Sequence, residues 1–196
     1  MKPLLILLLS TLPLFSFAQD TAEDKEMLAR AVEYFNGEKY HEAGIIFRNL
    51  NKKYNLNTRF KAYLGICELK DWNYPAVTEI FDSIYTDLAV YAPLEQNVYY
   101  NAAAESHFNL GNYHAALKYY ELALSVCANK EKADICFKAG ICCLQFGDDN
   151  HPDSTNDARA AAKEYLTKSL NFYNEYSTGK DEHDRMKQIS TMLRKL

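Results

Sequence analysis

Several signatures of chemistry are missing from this chain. It has no G-x-S-x-G nucleophile elbow, no glycine-rich phosphate loop and no H-E-x-x-H zinc helix. His41-Glu42 opens like the zinc motif, but Ile45 stands where the second histidine belongs. No run of Lys or Arg exceeds two residues. That leaves no basic stripe for a nucleic-acid backbone or an anionic membrane surface. No C-x-x-C occurs, and tryptophan appears once, at Trp72. The expectation is a protein without catalytic residues, metal or cofactor, whose partner is another protein.

The five cysteines are odd in number and cannot all pair. Cys67, Cys136, Cys142 and Cys143 fall in helical patterns, where a free thiol acts as a small apolar filler. Cys142 and Cys143 are adjacent, so on a helix they point about 100° apart and cannot share a metal. A disulfide between Cys127 and Cys136, across a helix connection, is sterically open; core filling is the alternative. The acidic run containing Asp148, Asp149, Asp153 and Asp157 lacks the bend glycine and closing glutamate of a calcium loop and reads as solvated. His107 and His114 are seven residues apart and flank a turn.

The N-terminus reads as an export signal. Lys2 precedes the apolar run LLILLLSTLPLF, too short to span a bilayer, and Ser16-Phe17-Ala18 supplies small residues for cleavage before Gln19. No cysteine follows at a lipidation position. Residues 1–18 are thus expected to be removed, leaving 19–196 as a single domain, periplasmic or envelope-associated, without a membrane span. Without Lys2 the count is 21 basic against 26 acidic residues, a net charge of −5.

What is present is a repeat. Ala31, Gly65, Ala104 and Gly140 each sit midway along a helical apolar pattern, 34, 39 and 36 residues apart. The helices that follow carry Ala43, Val77, Ala116 and Ala162, and four residues after each comes Phe47, Phe81, Tyr120 or Leu166. A small residue lets two backbones approach, and a large one a turn later fills the adjoining wedge. The pattern predicts helix pairs at about 23–36 with 40–53, 57–70 with 74–87, 96–109 with 113–127, and 131–146 with 157–173. Gly37, Gly111 and Gly147 mark the turns, and residues 85–96 hold an extra helical turn plus loop with Pro93 near the next helix. The insertion DDNHPDSTND separates the last pair. A final amphipathic helix over 181–196 places Met186, Ile189, Leu193 and Leu196 on one face.

This register resembles the tetratricopeptide repeat family. The third repeat carries it best, through Ala104, Phe108, Gly111, Tyr113, Ala116, Tyr120 and Ala123. The first follows with Ala31, Tyr34, Gly37, Tyr40, Ala43 and Phe47. The second departs at Val77 and Ile84, and the repeat-ending proline is missing. The resemblance implies an all-α, right-handed α-solenoid of about four helix–turn–helix repeats (23–56, 57–92, 96–129, 131–175) plus a C-terminal capping helix. It also implies that the first helix of each pair lines a concave face, which binds protein.

On that face the exposed positions would be Leu28, Val32, Phe35; Ala62, Ile66, Leu69; Asn101, Glu105, Phe108; and Phe137, Ile141, Leu144. Only Asn101 and Glu105 are polar. So long an apolar strip predicts a groove for an apolar or amphipathic segment, or burial by curvature or by the C-terminal helix. The carboxylate clamp of chaperone-binding members is missing, since Val32, Ile66, Glu105 and Ile141 occupy its asparagine position. The expected role is a scaffold or adaptor. The alternative is a structural subunit of an envelope complex or homo-oligomer with its groove permanently filled. A small-molecule enzyme or carrier using groove Tyr and Cys is a third possibility.

Overall fold

The computed structural model describes residues 14–146, 152–176 and 179–196. Among these there is no strand. The helices are α1 (Leu14–Asn36), α2 (Tyr40–Tyr54), α3 (Thr58–Lys70), α4 (Tyr74–Ile84), α5 (Pro93–Asn109), α6 (Tyr113–Val126), α7 (Lys132–Phe146), α8 (Pro152–Tyr176) and α9 (Lys180–Leu193), with 3-10 turns at Tyr85–Val90 and Asn129–Glu131. Each helix packs on the next, and α3 also touches α5. The described part of the acidic insertion is not a loop. Pro152 starts α8 five residues before the expected position, because proline's missing N–H and fixed φ suit a first helical turn. Asp148, Asp149 and Gly147 lie outside the described residues.

The small-and-large register governs the packing. Ala31, Ala43, Phe47, Val77, Phe81, Ala104, Ala116, Tyr120, Ala162 and Leu166 are all fully buried. At Gly65 a Cβ would lie 2.7 Å from the Phe81 ring, and at Gly140 one would lie 2.9 Å from Leu166 Cγ. These are the large residues that the spacing paired with those two glycines. The ring and the branched side chain occupy the space a methyl group would need, so the helices approach closely through them.

Three turns between paired helices repeat one hydrogen-bond pattern. Lys39, Asn73 and Asn112 donate their backbone N–H to the carbonyls of Tyr34, Glu68 and His107, at 2.8, 2.9 and 2.9 Å. One residue earlier, Glu38, Trp72 and Gly111 donate to Phe35, Leu69 and Phe108, each at 3.0 Å. This double closure satisfies carbonyls left open at a helix C-terminus and requires a left-handed residue. That residue is Gly111 in the third turn (φ 75°), but Glu38 (φ 59°) in the first and Trp72 (φ 60°) in the second. Gly37 therefore stands one position before the left-handed site that sequence spacing suggested for it. Because a side chain in this region costs about 1–2 kcal/mol, Glu38→Gly should raise stability by up to about 1 kcal/mol. A lower denaturation midpoint for that variant would contradict the turn geometry.

Tyrosine hydroxyls tie helices together through carboxylates. Tyr119 donates to Asp82 (2.7 Å), Tyr120 to Glu105 (2.8 Å) and Tyr165 to Glu121 (2.7 Å), while Tyr54 bonds Asp24 and Tyr173 bonds Asp134. Burial, reinforced by the acceptor carboxylate, pushes the Tyr119, Tyr120, Tyr165 and Tyr173 phenols up. Glu68 is only 2% exposed, yet Arg48 (2.6 Å) and Asn73 (2.7 Å) engage both its oxygens. That removes the cost of a lone buried charge and fastens the second turn.

At the C-terminal end, Ile189 of α9 is fully buried in a cluster with Ala133, Phe137, Leu166 and Tyr173. All five cysteines are free, Cys127 and Cys136 included, and four are buried.

Candidate functional site

The i, i+4 row Asn97, Asn101, Glu105 runs along α5 and lines a broad concavity. Ile66, Leu69 and Lys70 of α3 form one wall, with Tyr40 of α2 behind them. Asp134, Ile135 and Lys138 of α7 form the other. Tyr176 and Glu182 also line it, and its volume is about 760 Å³. Side chains at i and i+4 share a helix face, and α3, α5 and α7 contribute their matching faces to one groove.

The polar row is held from within. Glu105 accepts from Lys138 Nζ at 2.5 Å and from the buried Tyr120 hydroxyl at 2.8 Å, so its charge is compensated. Asn101 donates to Asn97 at 2.7 Å, and Asn97 to Glu131 at 2.8 Å. These bonds fix the floor before any ligand arrives, which lowers the ordering cost of binding. Apolar surface lies between them: Ile66 is 7% exposed, whereas Val98 is 47% exposed. Leu94, one turn earlier on α5, continues that row outside the groove at 72% exposed, and Val90, at the end of the preceding 3-10 turn, is 80% exposed.

No protein-family model matches this chain, and no curated protein aligns with it significantly.

Of the residues expected on the concave face, Ile66, Leu69, Asn101 and Glu105 line this groove. The others lie elsewhere. Leu28 borders a separate pocket with Leu50, Tyr54 and Leu56. Val32 packs against the core of the first pair, where Ala62 faces the neighbouring core fully buried. Phe35 stacks on Tyr63, with centroids 4.3 Å apart, and meets Tyr40 edge-on. Phe108 meets the Tyr113 and Tyr120 rings edge-on. Phe137 is buried beneath the Arg185 guanidinium of α9, and Ile141 and Leu144 pack in the same cluster as Met186 and Leu193.

Tyr40, Lys70, Asn97, Val98, Asp134 and Lys138 also line the groove and were missing from the sequence reading. Asn97 and Lys70 stand one helical turn from residues that were included, Asn101 and Ile66, and that spacing is the signal that could have found them.

The buried thiols are poor nucleophiles. Burial pushes Cys67 and Cys142 up to about 12, and Cys136 and Cys143 up to about 11. An activated cysteine needs the reverse shift. His107, also buried, donates Nε2–H to Asp82 at 3.2 Å and stacks on Tyr119, joining α4, α5 and α6. Among the described residues no helix is long and apolar enough to cross a membrane.

Proposed function

We propose that this chain is an exported, tetratricopeptide-like right-handed solenoid of about four repeats with α9 as its cap. It works as a non-catalytic scaffold at the periplasm or envelope, holding a segment of a partner protein in the groove along α5. The observation that carries this reading is the groove itself: about 760 Å³ bounded by faces of the alternate helices α3, α5 and α7, with apolar side chains set between hydrogen-bonded polar ones. Such a lining suits a segment with both kinds of side chain, and excludes a purely apolar one because Asn101 and Glu105 would be covered without gain.

The exposed apolar residues Leu94 and Val98 on α5, with Val90 before it, favour a second reading, a groove filled permanently by another subunit or copy.

Val98 tests the groove without disturbing the core. Burying its exposed half on binding contributes roughly 1 kcal/mol before ordering costs, and an aspartate there would add the cost of covering a charge. Val98→Asp should therefore abolish stoichiometric capture of the partner from an envelope extract while leaving the melting temperature nearly unchanged. Capture at wild-type yield by the folded variant would end the proposal. Ile66→Asp is a poor probe, because Ile66 belongs to the core and its replacement should unfold the protein.

A further inference from the structure

The groove continues at one end into a smaller cavity of about 260 Å³, bounded by Leu69, Lys70, Trp72, Tyr74, Glu105 and Asn109. Leu69, Lys70 and Glu105 belong to both spaces. Trp72 is the chain's only tryptophan and is 75% exposed. It occupies a left-handed position, φ 60°, that the third turn gives to Gly111. A bulky residue held there is strained, and such strain gathers at functional sites. The indole meets Tyr74 at 77° with centroids 6.2 Å apart, so the two rings form an open corner.

The groups at this corner narrow the ligand. Among the described residues no hydrogen bond engages the Trp72 Nε1–H, and none forms an ion pair with the Lys70 ammonium, which lies 5.3 Å from the centroid of the Tyr40 ring. Lys70 and Glu105 are the charged residues that line this smaller cavity, and Glu105 is compensated by Lys138, which leaves Lys70 as the open charge at the corner. Ring faces with free donors beside them fit a chain that offers carbonyls and rigid apolar rings but few N–H groups. Proline in an extended polyproline II conformation has that character, and its preformed geometry lowers the entropic cost of binding in aromatic-lined grooves.

We infer that the Trp72–Tyr74 corner docks a proline-bearing extended stretch of the partner segment, with a carboxylate next to the proline meeting Lys70. This rests on the groove reading and adds the chemistry of the segment. A proline ring stacks on the indole, its carbonyl accepts from Nε1–H, and the carboxylate compensates Lys70.

The single tryptophan makes the test direct, because all indole emission comes from the proposed site. Three probes are titrated into the full chain: a short polyproline peptide carrying one glutamate, the same peptide with alanine for proline, and a cello-oligosaccharide. Calorimetry runs in parallel. The expected result is a saturable emission shift with the acidic proline peptide below about 1 mM and none with the other two. Tyr74→Ala should weaken binding about tenfold, and Lys70→Glu should turn the preference toward a lysine-bearing proline peptide. Should Tyr74→Ala fail to fold, Trp72→Ala followed by calorimetry should show the same tenfold loss. An emission response to the sugar or equally to the alanine peptide overturns the inference. So does the absence of binding to the folded protein. Binding that Val98→Asp abolishes but that leaves Trp72 emission unmoved also overturns it, while leaving the groove reading intact.

Discussion

Titration from pH 8 to pH 11 should unfold this protein in one cooperative step. The cause lies in groups kept protonated by the fold. Cys67, Cys136, Cys142 and Cys143 have thiols raised from an ordinary 9.0 to about 11 or 12, with burial as the main cause. Tyr99, Tyr119, Tyr120, Tyr165 and Tyr173 are raised from an ordinary 10.0, again chiefly by burial. A raised folded-state pKa contributes stability that is fully present below the unfolded value and is lost as pH climbs toward the folded one. The unfolded chain then releases protons that the native state still holds, so stability falls by about 1.4 kcal/mol per pH unit for each group. Four thiols alone remove roughly 4 kcal/mol between pH 9 and pH 10, a large part of the whole stability of many domains. The tyrosines steepen the loss above pH 10. Ellipticity at 222 nm and tyrosinate absorbance at 295 nm should change together. A tyrosinate transition with its midpoint near the ordinary value of 10 and helicity intact would show that these side chains are open to solvent.

Gly65→Ala should destabilise the protein although alanine is the better helix former. Propensity alone favours the substitution by about 1 kcal/mol. The new methyl would nevertheless sit 2.7 Å from Phe81 Cε2 and 2.9 Å from Cζ, against a ring with no exposure. Overpacking of this kind costs about 1–3 kcal/mol, which outweighs the propensity gain and leaves a net loss of up to about 2 kcal/mol, a drop of up to several degrees in melting temperature for a chain of this size. The cycle with Phe81→Leu separates this contact from general damage. Phe81→Leu alone should destabilise by removing ring contacts, and adding Gly65→Ala to it should recover part of that loss, because the methyl enters vacated space. A Gly65→Ala variant as stable as the parent, or additive losses in the double variant, would mean that α3 and α4 do not approach this closely.

Both experiments probe features of different legibility. The pairing of Gly65 with Phe81 and of Gly140 with Leu166 could be read from spacing, because close approach of two helices obliges a small residue to face a large one at a set distance along the chain. The positions of α2 through α7 follow similarly, since the helical period and the turns between paired helices are local properties. The burial of Cys142, Cys143 and Tyr120 was legible for the same reason, as they lie on apolar helix faces.

The binding face was not legible to that degree. Sequence spacing places Phe35, Ile66, Glu105 and Phe137 at equivalent positions or one turn from them, yet only tertiary packing decided their separate fates. Phe35 stacks on Tyr63, Phe137 is covered by Arg185, and Ile66 and Glu105 remain in the groove. Likewise Gly37, glycine though it is, left the strained position of its turn to Glu38. The reason is that periodicity states which side of one helix a residue occupies, whereas exposure depends on what the neighbouring helices bring to that side. The sequence by itself therefore determined the helices, their pairing and their close contacts. The tertiary structure decided which faces meet, which charges are compensated and where open surface remains.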